Sequence, residues 1–168
     1  MLNKFILLCF LVLLPFQSIF SKENFIDIIK EVDWNCTEAE FVYKFHSIVK
    51  PTNKEVWSRE NSESNFCFKD IYIGEIPISN KINSHIRVNS QNKKIFRLNF
   101  IFLYGESDKN KYQYIEDIMK AELGEPTETH IVKDSKTQIW VYDYYKIETS
   151  YMGITPESYV FAINVEPL

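Results

Sequence analysis

The sequence predicts an α+β domain: an antiparallel sheet with helices packed on one face. Three observations carry the prediction. Helical and strand signals fall in separate runs, ordered helices, strands, helix, strands, as in α+β chains. Aromatic residues are abundant, with 13 Phe and 10 Tyr among 168 residues, and such residues favour pleated sheet. Glycine is scarce, at four, which disfavours a loop-built scaffold.

The chain opens with Lys4, an apolar run from Phe5 to Phe16, then Gln17 to Ser21 and the charged pair Lys22-Glu23. A basic start, about a dozen apolar residues and a small residue at the cut describe a secretory signal peptide. The run is shorter than the ~20 residues that span a bilayer. Cleavage after Ser21 assigns residues 1–21 to the leader and 22–168 to a single exported domain, periplasmic or extracellular, with no membrane span after cleavage. No Gly/Ser-rich or Pro-rich linker divides it.

Helix signals come first. Phe25, Ile28, Ile29 and Val32 share one helical face, with Asn24 placed to cap it. Thr37 and Glu40 form a capping box, followed by the stripe Phe41, Val42, Phe45, Ile48 and Val49, and Pro51 marks the stop. Strands follow. Lys54–Arg59 is a short strand, 61–65 is turn-like, and Phe66–Ile76 alternates as one strand. His85–Asn89 is a strand, Ser90–Lys93 turns, and Ile95–Tyr104 is apolar on both faces, so it belongs at the centre of the sheet. A third helix opens at Ser107 or Asp108, carries Tyr112, Ile115, Ile118, Met119 and Leu123, and closes at Gly124 with Pro126 beyond. Thr129–Lys133, Thr137–Asp143, Tyr145–Ser150 and Ser158–Val165 read as strands, with turns at Asp134–Lys136 and Gly153–Glu157. The stretches Ile95–Ile101 and Tyr159–Val165 echo each other, the trace of a duplicated helix-plus-strands unit.

Cys36 and Cys67 remain once the leader is removed. In an oxidising compartment they predict one disulfide closing a loop of about 32 residues, worth about 3–4 kcal/mol; the alternative is two separately buried thiols. Their spacing lacks the Cys-x-x-Cys pattern of a redox pair. Net charge is −4, one unit more negative without Lys4, and lysines alternate with acids. That leaves no footprint for nucleic acid. Gly74, Gly105, Gly124 and Gly153 stand too far apart for a phosphate loop, and no cofactor motif is present.

His46, His85 and His130 have no companions at metal-ligand spacing and read as surface or half-buried residues. No Gly-x-Ser-x-Gly or Ser-x-x-Lys occurs. Glu116-Asp117 and Glu122–Glu125 read as a solvated helix face. Trp140, Tyr142 and Tyr144 share one strand face. They are either an aromatic interaction patch or a sheet face covered by helices with hydroxyls at its rim. Together these readings predict a non-catalytic exported domain that binds another protein, of which an inhibitor or immunity protein is one form. The alternatives are a carrier or sensor for a small apolar ligand, and an enzyme whose unrecognised site uses one of the histidines.

Overall fold

A computed structural model describes residues 22–51, 62–63, 66–78, 84–105, 109–155 and 158–168. The leader and the strand expected at Lys54–Arg59 lie outside the described residues. Within them the protein is mostly β, with three helices and a large antiparallel sheet. The helices are α1 (Phe25–Glu31), α2 (Glu38–Lys44) and α3 (Lys109–Leu123). Helix α1 is capped by Asn24, whose side chain accepts from the Ile26 amide at 3.0 Å. The Thr37/Glu40 capping box of α2 is fully formed. That helix stops at Lys44, earlier than the apolar stripe suggested, because Val49–Pro51 leaves to pair as strand β2.

Two short strands precede the long ones: β1 (Glu23–Asn24) beside the first helix, and β3 (Ser62–Glu63). The run Phe66–Ile76 is three strands rather than one: β4 (Phe66–Phe68), β5 (Ile71–Ile73) and β6 (Ile76–Pro77). Asp70 (φ 55°) and Gly74 (φ 56°) break it. Strands β1, β5 and β6 form a small separate sheet.

The remaining strands are β7 (Ser84–Asn89), β8 (Ile95–Gly105), β9 (Glu128–Val132), β10 (Ser135–Val141), β11 (Tyr145–Thr155) and β12 (Ser158–Pro167). Of the turn expected at Gly153–Glu157, residues 153–155 belong to β11 and the remainder lies outside the described residues. The large sheet runs β2-β4-β7-β8-β12-β11-β10-β9, with β3 beside β7. Strand β8 is central, as its composition predicts. Its neighbour β12 aligns Phe161 with Phe102, Ile163 with Phe100 and Val165 with Leu98.

Register assigns the two faces. On the first, Leu98, Phe100, Phe161, Ile163, Val165, Ile147 and Trp140 are all buried. Phe25 of α1 meets Phe100 edge-on at 5.2 Å, and Phe41 of α2 meets Phe68 at 6.1 Å. Tyr112 of α3 stacks on Tyr151 at 4.8 Å and meets Phe161 at 5.1 Å. The second face is half-exposed and mostly polar, with Arg97, Asn99, Glu148, Asn164 and Glu166. Long apolar strands need only one covered face when the other carries such groups.

Candidate functional site

The expected aromatic patch is divided by the structure. Trp140 is core, 2% exposed, and its indole N–H donates to the Gly124 carbonyl at 2.9 Å. It closes the end of α3 onto the sheet by satisfying one of the helix's last carbonyls. Tyr142 is half-buried, stacked on Tyr145 at 5.0 Å, with its hydroxyl donating to the Leu123 carbonyl at 3.4 Å. Tyr144 stands in the β10–β11 turn at 77% exposure. The strand alternation that placed the three together ends at Val141, so Tyr142 and Tyr144 follow the turn instead.

Beneath α3 lies a polar cluster centred on Glu116, which is 3% exposed. The solvated-face reading of this residue is therefore corrected. Glu116 Oε1 is held by the Lys136 ammonium and by Lys120 at 3.3 Å. Burial opposes its ionisation, but the Lys136 and Lys120 ammonium groups prevail and hold the carboxyl below its usual range. Burial and the Glu116 charge push the Tyr112 phenol up. The signal was present in the sequence: Tyr112, Ile115, Glu116 and Met119 recur at i, i+3, i+4 and i+7, the spacing of one buried face. A groove of about 490 Å³ opens beside this cluster between α3 and the β9–β10 hairpin. Asn110, Gln113, Lys133, Asp134 and Lys136 are among its walls. Tyr112, Ile131 and Tyr151 give the rest of the lining its apolar part.

The second face of the sheet assembles polar residues in rows. Glu166 accepts from Arg97 Nε at 2.8 Å and Lys146 Nζ at 2.7 Å. Burial works against its charge, but these two cations hold its carboxyl below the usual range. In the next row Asn99 Nδ2 donates to Asn164 Oδ1 at 2.5 Å. Register extends that row outward: Asn99 pairs with His85, and His85 with Cys67. A thiol, an imidazole and a carboxamide thus occupy facing positions on three adjacent strands, where directly opposed Cβ atoms lie about 5 Å apart.

The expected Cys36–Cys67 bridge is not formed; both thiols are free and partly buried. The fold gives the reason. Cys36 is tied to the start of β8, its carbonyl accepting from the Ile95 amide at 3.2 Å. Cys67 lies on β4, with β7 between it and β8. Two strand spacings are roughly 10 Å, beyond the ~7 Å that a disulfide reaches between Cα atoms. Burial pushes the Cys36 thiol up, with Asp33 and Glu40 adding to it.

The histidines differ from one another. His46 and His130 are exposed. His46 Nδ1 lies 3.2 Å from the Tyr43 carbonyl, and His130 Nε2 lies 3.1 Å from Glu128. His85 is buried, unlike the surface role expected of it. A hollow of about 920 Å³ beside α2 includes Glu38 and His46. Among the described residues no group of three or more His, Cys, Asp or Glu is placed to hold a metal ion. None of the described helices is long and apolar enough to cross a membrane.

The clearest exposed apolar feature lies at the free end of the β9–β10 hairpin. Val132 pairs with Ser135 and Ser135 with Met152, so the three form one row on the second face. Val132 is 67% and Met152 53% exposed, with Ile154 exposed close by. Sequence reasoning missed this row because each residue lies on a different strand. Compared with known protein families, with curated proteins and with solved structures, the chain matches none.

Proposed function

We propose that residues 22–168 are an exported domain that binds another protein, with Val132, Met152 and Ile154 at the contact. The single observation behind this reading is that exposed row. Large aliphatic side chains aligned across strands in water mark an interaction site more often than a random surface. The polar rows beside it supply hydrogen-bonding groups of the kind found at an interface rim. The test is affinity capture from the extracytoplasmic fraction of the native host. Wild type should retain a stoichiometric partner that Met152→Lys loses. Repeated recovery of the protein alone overturns the binding reading; equal capture by the variant overturns the choice of surface.

The finer architecture belongs to the same proposal. The ring contacts of Phe25, Phe41 and Tyr112 with strand residues support helices gathered on the first face. The order β2-β4-β7-β8-β12-β11-β10-β9 supports duplication. With β3 left aside, β2, β4, β7 and β8 after α2 and β9 to β12 after α3 run from edge to centre as mirror sequences that meet at β8 and β12.

A second reading has its own observation, the Cys67–His85–Asn99 register. Imidazole opposite a thiol can take its proton and leave a nucleophilic thiolate. The facing row makes Cys67 the candidate nucleophile, His85 its base and Asn99 the group that orients the imidazole. Iodoacetamide tests this on the intact protein. The sulfur–carbon bond forms, iodide leaves and His85 keeps the proton. At about pH 6.5, where ordinary thiols are mostly protonated, Cys67 should react about tenfold faster than Cys36, and His85→Gln should remove the advantage. Equal rates for the two thiols in wild type overturn it.

A further inference from the structure

The two outer edges of the large sheet are built differently. Strand β2 is three residues long and contains Lys50 and Pro51, a short edge blunted by charge and proline. Strand β9 is five residues long, Glu-Thr-His-Ile-Val, and every one of them is exposed. It has no proline, lysine or bulge, and three of its five residues are β-branched. Such an edge is a template for a further strand.

The register shows which groups it offers. Val132 and Ser135 flank a two-residue turn, Lys133–Asp134, in which Lys133 takes φ 53°. The pair that closes a two-residue hairpin exchanges both backbone bonds. Val132, His130 and Glu128 therefore turn their N–H and C=O groups inward to β10. Thr129 and Ile131 turn theirs outward.

We infer that β9 pairs antiparallel with β9 of a second copy of this chain, about a two-fold axis at His130. In that register Thr129 faces Ile131 of the second copy, and the outward groups of both exchange four backbone bonds. Charge fits the same register. Glu125 precedes the strand, Glu128 opens it, and Lys133 follows its last residue. Antiparallel copies set Lys133 of one beside the acids of the other. Ile131, 70% exposed in the single chain, gains a neighbour on the α3 side. The pairing goes beyond the partner-binding reading and does not need it, since it uses the backbone edge and not the Val132–Met152 row.

Sedimentation velocity of residues 22–168 over about a hundredfold concentration range tests it. A contact of one short strand predicts a weak, concentration-dependent dimer. Ile131→Pro removes an outward N–H that β10 does not use, a change that edge strands accept. Ile131→Lys puts charge on the edge at an exposed site. Each should weaken association about tenfold or more. Glu128→Lys should weaken it also, and adding Lys133→Glu should restore it. Far-UV circular dichroism identical to wild type establishes that a variant is folded. A wild-type monomer at every concentration overturns the self-pairing while leaving capture through Met152 standing. Dimerisation unchanged in Ile131→Lys overturns it as well.

Discussion

At the scale of single residues, Glu116 shows how a buried charge is kept. Its carboxylate is removed from water and held by Lys136 and Lys120. Deleting one partner leaves a charge with less compensation than the fold was built around. Lys136→Met should therefore cost about 2–3 kcal/mol in urea unfolding, below the ~3–5 for a fully stranded charge, because Lys120 remains. Acid should expose the same bond. The Glu116 carboxyl lies below its usual range when folded. Its contribution is thus present above the unfolded value of about 4.3 and lost as pH falls through the lower folded value. Melting temperature should drop on acidification in this window, and less steeply in Lys136→Met. An equal slope in the two proteins would assign the acid sensitivity elsewhere. Glu116 was legible in principle, since it sits inside the apolar spacing of its helix. Lys136 was not, because it lies 20 residues further along the chain, on a strand, and only the tertiary fold brings the two together. Trp140 stayed open between patch and covered face for a related reason: a strand face is shared in sequence, but its burial is set by residues distant in the chain.

At the scale of elements, local signals held where the chemistry is local. The Thr37–Glu40 box is formed by residues three apart. Thr37→Ala should cost about 0.5–2 kcal/mol, read as a lowered urea midpoint; an unchanged midpoint would leave α2 held by Phe41 packing alone. Glycine gives the opposite lesson. Gly74 breaks the alternation that suggested one strand from Phe66 to Ile76, and the alternation itself gave no warning. The glycine turns at φ 56°, and a methyl group there would press on Tyr114 and Ile118 of α3. Conformation requires glycine, while the tips of Tyr114 and Ile118 can yield to a methyl, so Gly74→Ala should cost about 1–2 kcal/mol. A stability change under ~0.5 kcal/mol would mean that the small sheet and α3 separate readily.

At the scale of the whole molecule, the order of helices and strands was legible, and so was the central place of β8, because a strand with apolar residues on both sides belongs inside a sheet. The balance was not: the short strands β1, β2 and β3 and the extension of β11 make the protein more β than its helix signals suggested. The cysteine pair was misread because an even count gives opportunity and not distance, and β7 stands between the two positions. That correction changes what the protein should look like in solution. The leader expected at residues 1–21 predicts a mature chain beginning at Lys22. The separation of the thiols predicts that it carries no bridge. Intact mass of the protein recovered from its native host, alkylated with and without prior reduction, reads both at once. A mass starting at Lys22 that takes two alkyl groups without reduction is expected. A mass starting at Met1 overturns export. A gain of alkyl groups that requires reduction means that the cysteines pair, within the chain or between copies. The doubled mass of a covalent dimer distinguishes the second case, and it would tie two chains together independently of the β9 edge.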